Sequence, residues 1–271
     1  MTINKIGIKS VKDATVAIGI IDKTGDRIPR EILGSGFFIS SKGYVITAKH
    51  VLDGCDKMLE VYREQKQELE IAILSVVTKG SKAEVRVMRE VKTYALGVID
   101  APKYVGPIDP DIAIVIPGEG IDDLGGTPYV SLRKPSMRVS LYTDVIMCGY
   151  PAGDESLDMF RKHRGLRLSP IIQFGHLTGL MPTDDVDIPW GIQTGSSSGS
   201  AIIDSIDSTV VGIAQNVFTA GVTAYTAPLY SGDAEGSKAV PIFGKAKMGL
   251  VYGTSFHQFH DILDRIQKEL G

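Results

Sequence analysis

The sequence has few of the features that mark secreted, membrane-spanning or nucleic-acid-binding proteins. It has only two cysteines, Cys55 and Cys148, and a formal net charge of −3. Its first residues lack a basic segment followed by an apolar one, so no signal peptide is predicted. No apolar run approaches the roughly 18 residues that cross a bilayer. We therefore expect a cytoplasmic protein with two buried free thiols and with neither a membrane nor a nucleic-acid partner.

The composition is that of a folded globular protein. Hydrophobic residues make up 43% of the 271 residues and charged residues 23%, which excludes a disordered chain. A chain of this length can form one large domain or two lobes of roughly 100–130 residues each.

Alternating apolar and polar residues predict short strands along much of the chain. A strand, a tight turn and a second strand are predicted at 34–48, and further strands at 16–20, 69–73, 83–91, 137–141 and 145–147. Because no long helical pattern separates these strands, the sequence favours an antiparallel barrel or sandwich over a parallel sheet.

Three other segments have their own patterns. Ser255 opens a capping box, and the apolar residues after it recur at helical spacing, so a terminal helix is predicted. The segment 117–132 is rich in Gly, Asp and Pro, as expected of a connection between two lobes. The segment 219–247 contains many Gly and Ala residues, and we expect a functional surface loop there.

The candidate chemistry lies in three places. His50 follows a strand in VITAKH, Asp111 opens an apolar strand in DIAIV, and Ser198 lies in the Gly-rich turn GSSSGSA. A serine hydroxyl becomes a strong nucleophile when an imidazole accepts its proton, and a carboxylate can fix the tautomer of that imidazole. Backbone N–H groups of a Gly/Ser-rich turn can stabilise the oxyanion that forms.

These segments, with GSGFFIS at 34–40 and VIMCGYPAG at 145–153, resemble trypsin-like serine peptidases of the chymotrypsin fold. The chain is most similar to the bacterial high-temperature-requirement type, in a form without a PDZ domain. The resemblance implies an all-β fold of two antiparallel six-stranded β-barrels with a C-terminal α-helix. It places the His and Asp lobe at 1–117, a connection at 118–136, the Ser lobe at 137–254 and the helix at 255–271.

By the same resemblance, His50 is the general base, Asp111 orients it and Ser198 is the nucleophile. Backbone N–H groups of Ser196 and Ser198 would form the oxyanion hole. The specificity pocket would be lined by Ile192, Gln193, Thr194, Ala214, Gln215 and Asn216. The implied function is a serine endopeptidase that cleaves polypeptides through an acyl-enzyme on Ser198, with no metal or organic cofactor.

The serine turn leaves two alternatives to weigh. The family usually has Gly two positions before the nucleophile, where this chain has Ser196, so the oxyanion hole can be incomplete. The alternative function is a gated or inactive peptidase-fold module that binds a peptide or partner protein, controlled by an activating protein or by oligomerisation. The GSSSG turn also fits a nucleophile elbow centred on Ser197, but a strand pattern follows it where an elbow needs a helix.

Overall fold

The fold is known from a computed structural model. The structure describes residues 5–24, 29–79, 82–89, 91–95, 99–100, 107–108, 111–118, 127–134, 140, 142–150, 170–177, 190–192, 198–229 and 238–255.

Strands dominate the described residues. The two described helices are α1 (Lys5–Ala14) and α2 (Lys49–Glu64). The strands in chain order are β1 (Thr15–Asp22), β2 (Glu31–Phe38), β3 (Val45–Ala48), β4 (Leu69–Lys79), β5 (Lys82–Met88), β6 (Lys92–Ala95), β7 (Ile99–Asp100), β8 (Pro107–Ile108), β9 (Ile112–Ile116), β10 (Asp144–Gly149), β11 (Ile171–His176), β12 (Trp190–Ile192), β13 (Ala201–Asp204), β14 (Val210–Leu229) and β15 (Lys238–Ser255).

The strands form two large sheets, and all the strand pairs in them are antiparallel. The first sheet has the order β5-β4-β1-β2-β3-β9-β6 and the second has the order β11-β10-β13-β14-β15-β12; β7 and β8 form a separate pair. The first sheet thus has seven described strands where six were predicted, and the second has six. The mainly antiparallel β architecture is confirmed.

Most of the predicted strands are present. Those predicted at 16–20, 69–73, 83–91 and 145–147 correspond to β1, β4, β5 and β10, and 34–48 forms β2, a turn and β3. Most of the strand predicted at 137–141 lies outside the described residues.

The apolar core is continuous from one sheet to the other. One cluster of buried side chains includes Phe37 and Ile46 from the first sheet and Cys148, Ile203 and Ile213 from the second. The inner face of the second sheet has a smaller cluster of its own. Because one cluster belongs to both sheets, burial of apolar surface holds the two sheets against each other.

The segment 127–134 is hydrogen-bonded to both sheets. The Val130 N–H donates to the Phe38 carbonyl, and the Arg133 N–H donates to the Val210 carbonyl. The Arg133 guanidinium also pairs with the Asp204 carboxylate at 2.6 Å, with both side chains largely buried. Residues 127–134 therefore link the two sheets.

The expectation of a single, terminal helix was wrong at α1 and α2. Helix α2 buries Val51, Leu52 and Cys55 on one face, so its sequence does carry helical periodicity. Its N-cap residue is Ala48, which has no polar side chain to bond the first N–H groups. The usual start signal of a helix is therefore missing from the sequence at this point.

The expectation of a long surface loop at 219–247 was also wrong. Within it, β14 and β15 pair from Thr219↔Lys247 to Leu229↔Lys238 as a long hairpin. The segment contains β-branched and aromatic residues such as Val222 and Tyr225, which favour strands. The Gly and Ala residues between them obscured this preference.

The predicted start of the terminal helix coincides with the end of a strand. Ser255 is the last residue of β15 and pairs with Gly212. The remainder of the predicted helix, 256–271, lies outside the described residues. Neither α1 nor α2 is long and apolar enough to cross a membrane.

Both cysteines are buried free thiols, as predicted. Burial raises the pKa of the Cys55 thiol to about 12. Burial likewise raises the pKa of the Cys148 thiol to about 11. Both groups are therefore neutral thiols at physiological pH, and since the thiolate is the reactive form, they serve as packing residues.

Tyr150 is a buried phenol at the interface between the sheets. It follows β10 of the second sheet but packs against Ala17, Ile32 and Leu74 of the first. Its hydroxyl has no hydrogen-bond partner among the described residues. Burial raises the pKa of this phenol, so the group stays neutral.

We predict that Tyr150→Phe raises the free energy of unfolding by about 1 kcal/mol, because it removes a buried, unpaired hydroxyl. Tyr62→Phe is the matched control. The Tyr62 hydroxyl donates to Glu31 Oε1 at 2.6 Å, so its loss should lower the free energy of unfolding by about 1 kcal/mol. Urea denaturation measures both changes; a loss of stability in Tyr150→Phe would contradict the assignment.

Candidate active site

Two neighbouring strands bring His50 and Asp111 together. His50 lies in the first turn of α2, directly after β3, and Asp111 directly precedes β9. β3 and β9 pair antiparallel, with Ala48 opposite Ile112. The end of β3 therefore meets the start of β9, which places the imidazole beside the carboxylate.

The Asp111 carboxylate contacts His50 through both of its oxygens. Oδ2 lies 2.6 Å from His50 Nδ1, and Oδ1 accepts the His50 backbone N–H at 2.8 Å. A carboxylate at Nδ1 favours the tautomer with its proton on Nδ1, which leaves Nε2 as the basic nitrogen. The His50 side chain is 45% exposed and that of Asp111 25%, so the imidazole ring is accessible from solvent.

Asp111 also completes the N-terminus of α2. Its carbonyl accepts the Lys49 N–H at 3.1 Å, while its carboxylate accepts the His50 N–H. These are two of the donors that a helix start leaves without an intrahelical partner, and a negative charge there is favoured by the helix dipole. Asp111 adopts φ 50°, a left-handed conformation that Asp tolerates better than most residues.

Backbone hydrogen bonds fix the turn that carries Ser198. The Ser198 carbonyl accepts the Ser35 N–H at 2.8 Å, and the Gly199 N–H donates to the Ala214 carbonyl at 2.8 Å. The Ser198 hydroxyl donates to the Gln215 carbonyl at 3.0 Å. The nucleophile candidate is thus held between β2 of the first sheet and β14 of the second.

Ser35 is a positioning residue that sequence analysis did not single out. Besides its N–H, its carbonyl accepts the Thr47 hydroxyl at 2.7 Å and its own Oγ accepts the Tyr150 N–H at 2.8 Å. It is fully buried. One residue therefore links the Ser198 turn, the strand before His50 and the end of β10. The available signal in the sequence was a polar serine between two glycines, directly before the apolar residues of β2.

The structure describes only part of the predicted pocket and oxyanion hole. Ala214 and Gln215 are buried in β14. Ile192 ends β12 and pairs with Leu250, while Asn216 pairs with Tyr252, so β15 separates these two pocket candidates. Ser196, Gln193 and Thr194 lie outside the described residues.

A second His–Asp pair lies on the second sheet. His176 Nδ1 is 2.6 Å from Asp144 Oδ1, and the two residues are directly opposite on β11 and β10. This position is that of a cross-strand pair in a regular antiparallel ladder. In the described part of the chain, no three His, Cys, Asp or Glu side chains cluster as metal ligands.

The Ser198 turn depends on glycine at 199. Gly199 has φ +84°, and a Cβ placed there would lie 2.0 Å from the Ser35 carbonyl oxygen. Both the left-handed backbone and the close approach to β2 exclude a side chain.

We predict that Gly199→Ala lowers the free energy of unfolding by about 3 kcal/mol or more, since it combines left-handed strain with a backbone clash. Gly54→Ala is the control, because a Cβ there meets nothing within 4 Å. Because this substitution replaces a mid-helix glycine by alanine, it should raise the free energy of unfolding by about 1 kcal/mol. Thermal or urea unfolding distinguishes the two; equal effects would refute the close-contact argument.

Comparison with known proteins identifies a family and a shared fold. The family model described as a trypsin-like peptidase domain matches residues 34–213. The HtrA-type protease AlgW with decapeptide superposes with a TM-score of 0.53 at 12% identity, covering 97% of this chain and 66% of that one. AlgW with tripeptide gives a TM-score of 0.52 at 12% identity, covering 96% of this chain and 62% of that one. Deg5 gives a TM-score of 0.46 at 16% identity, covering 78% of this chain and 83% of that one.

These likenesses differ in what they show. At 12% identity the AlgW structures show a shared fold, and this chain spans about two thirds of their length. No curated protein matches the chain. The family model spans 34–213, which includes His50, Asp111 and Ser198. The chain belongs to the trypsin-like peptidase domain family.

Proposed function

We propose that the protein is a serine endopeptidase with His50, Asp111 and Ser198 as its catalytic residues. The observation that carries the proposal is the 2.6 Å contact between Asp111 and His50 Nδ1, which leaves Nε2 as the base. Ser198, on the turn anchored to β2 and β14, supplies the nucleophile. Membership of the trypsin-like peptidase domain family supports the same assignment.

The proposed reaction uses only groups of this chain and water. Ser198 Oγ attacks the peptide carbonyl carbon while its proton passes to His50 Nε2, and Asp111 stabilises the imidazolium. The tetrahedral intermediate then collapses, the C–N bond breaks and His50 protonates the leaving amine. Water, deprotonated by His50, hydrolyses the acyl-enzyme and restores the Ser198 hydroxyl.

The remaining parts of the predicted site belong to the same proposal. Backbone N–H groups of Ser196 and Ser198 would bind the oxyanion. Ile192, Gln193, Thr194, Ala214, Gln215 and Asn216 would line the specificity pocket, in the lobe at 137–254. The reaction requires neither a metal nor an organic cofactor.

The proposed substrates are polypeptides. AlgW, with which this chain shares its fold, has been solved with a decapeptide and with a tripeptide. We place the reaction in the cytoplasm. A general peptidase there must stay inactive until an activating protein, oligomerisation or a change in its own site switches it on.

The nucleophile assignment is tested by a fluorophosphonate probe, which reacts with an activated serine. We expect the adduct on Ser198 by mass spectrometry, and no adduct or casein cleavage in Ser198→Ala. Ser200→Ala is the matched control from the same turn; Ser200 is buried, so its loss should leave labelling intact. An adduct on a serine other than Ser198 would overturn the assignment.

The role of Asp111 is tested by Asp111→Asn. Asn also tolerates the left-handed backbone, but its amide N–H₂ would face Nδ1 and stabilise the wrong imidazole tautomer. We expect kcat to fall by about 10⁴ with little change in thermal unfolding. Peptide hydrolysis and calorimetry measure the two effects, and retention of full kcat would contradict the proposed role.

A further inference from the structure

The Gln215 carbonyl lies at an irregularity in the second sheet. Along β14 and β15, Ala214 pairs with Gly253 and Asn216 pairs with the adjacent Tyr252. Gln215 is therefore the extra residue of a β-bulge, which leaves it outside the regular ladder and turns its carbonyl away from the regular direction. Its carbonyl accepts the Ser198 hydroxyl.

This contact decides where the proton of the Ser198 hydroxyl points. A serine hydroxyl has a single proton to donate, and at 3.0 Å that proton is directed to the Gln215 carbonyl. It is then not directed to His50 Nε2, the atom that must accept it. Attack by Ser198 first requires this hydrogen bond to break and the hydroxyl proton to turn towards His50.

The position of the bulge also indicates what could break the bond. The pairing of β13 with β14 ends at Ala201↔Ile213, and the Ala214 backbone bonds Gly199 and Ser200. Beyond that point, β15 is the only described strand paired with β14. An extended peptide can add to such an edge through main-chain hydrogen bonds.

We propose that the Ser198–Gln215 hydrogen bond, hereafter the resting hydrogen bond, keeps the hydroxyl turned away from His50 in most molecules until an extended peptide binds. A main-chain N–H of the peptide donates to the Gln215 carbonyl and takes the place of the hydroxyl. The hydroxyl then rotates and donates to His50 Nε2. This inference rests on the proposed peptidase function and adds substrate-dependent activation to it.

The first experiment removes the bulge by deleting Gln215. The deletion leaves the pairs Ala214↔Gly253 and Asn216↔Tyr252 adjacent, as in a regular ladder. A simple alkyl fluorophosphonate has no main-chain N–H, so it reacts only with the minority of molecules in which the hydroxyl has already left the Gln215 carbonyl. We expect the deletion to raise its rate constant for Ser198 about fivefold, the population ratio expected of one neutral hydrogen bond.

The same deletion should have the opposite effect on peptide hydrolysis. The peptide loses an acceptor for its main-chain N–H, and we expect kcat/KM to fall about tenfold. Deletion of Ala224 is the matched control, because it removes the extra residue of another bulge in β14, between Thr223 and Tyr225. It should leave the alkyl labelling rate unchanged.

A second measurement needs no deletion. The ¹⁵N chemical shift of His50 Nε2 responds to a hydrogen bond donated to that atom. In the ligand-free protein, the resting hydrogen bond predicts the same Nε2 shift in wild type and Ser198→Ala. A shift difference would show that the hydroxyl already bonds His50 and would overturn the inference, even if the Gln215 deletion does not fold.

The outcomes separate the inference from the proposed function. If Ser198 is labelled at the same rate with and without Gln215, the resting hydrogen bond has no role and the peptidase assignment stands. If Ser198 takes no probe in any variant, the peptidase assignment fails, and substrate-dependent activation fails with it.

Discussion

The candidate site depends on one carboxylate, that of Asp111, which contacts both the backbone and the side chain of His50. Through Oδ1 it satisfies an N–H at the start of α2, and through Oδ2 it holds the imidazole at 2.6 Å. The residue before α2 is Ala48, which cannot provide the cap itself. The position of α2 and the orientation of its histidine are therefore set by the same side chain, so its removal in Asp111→Ala disturbs both.

The position of Ser198 depends on a different contact, which joins the two sheets. Ser35, on β2, donates its N–H to the Ser198 carbonyl, and Gly199 provides the close approach that this bond requires. The apolar core continues from the first sheet to Cys148 and Ile203 of the second, so the frame that carries these bonds is densely packed. His50 directly follows a strand of the first sheet and Ser198 lies in the turn before β13 of the second. The relative position of the two sheets is fixed by burial and by backbone hydrogen bonds.

The sequence predicted what depends on local pattern. Strand alternation identified β1, β4, β5 and β10, and the motifs around His50, Asp111 and Ser198 indicated the site. It did not predict α2, because the group that caps this helix lies 61 residues away along the chain. It also could not show the bulge at Gln215, since a bulge is a property of the pairing between two strands. Tertiary contacts decide both features.

The account is tested most directly by the proton on His50 Nδ1. A proton shared between an imidazole and a carboxylate at 2.6 Å gives a low-field resonance in ¹H NMR. We expect this resonance in the wild type and in Ser198→Ala, and its loss in Asp111→Ala. Its absence from the folded wild type, or its persistence in Asp111→Ala, would contradict the claim that Asp111 orients the catalytic histidine.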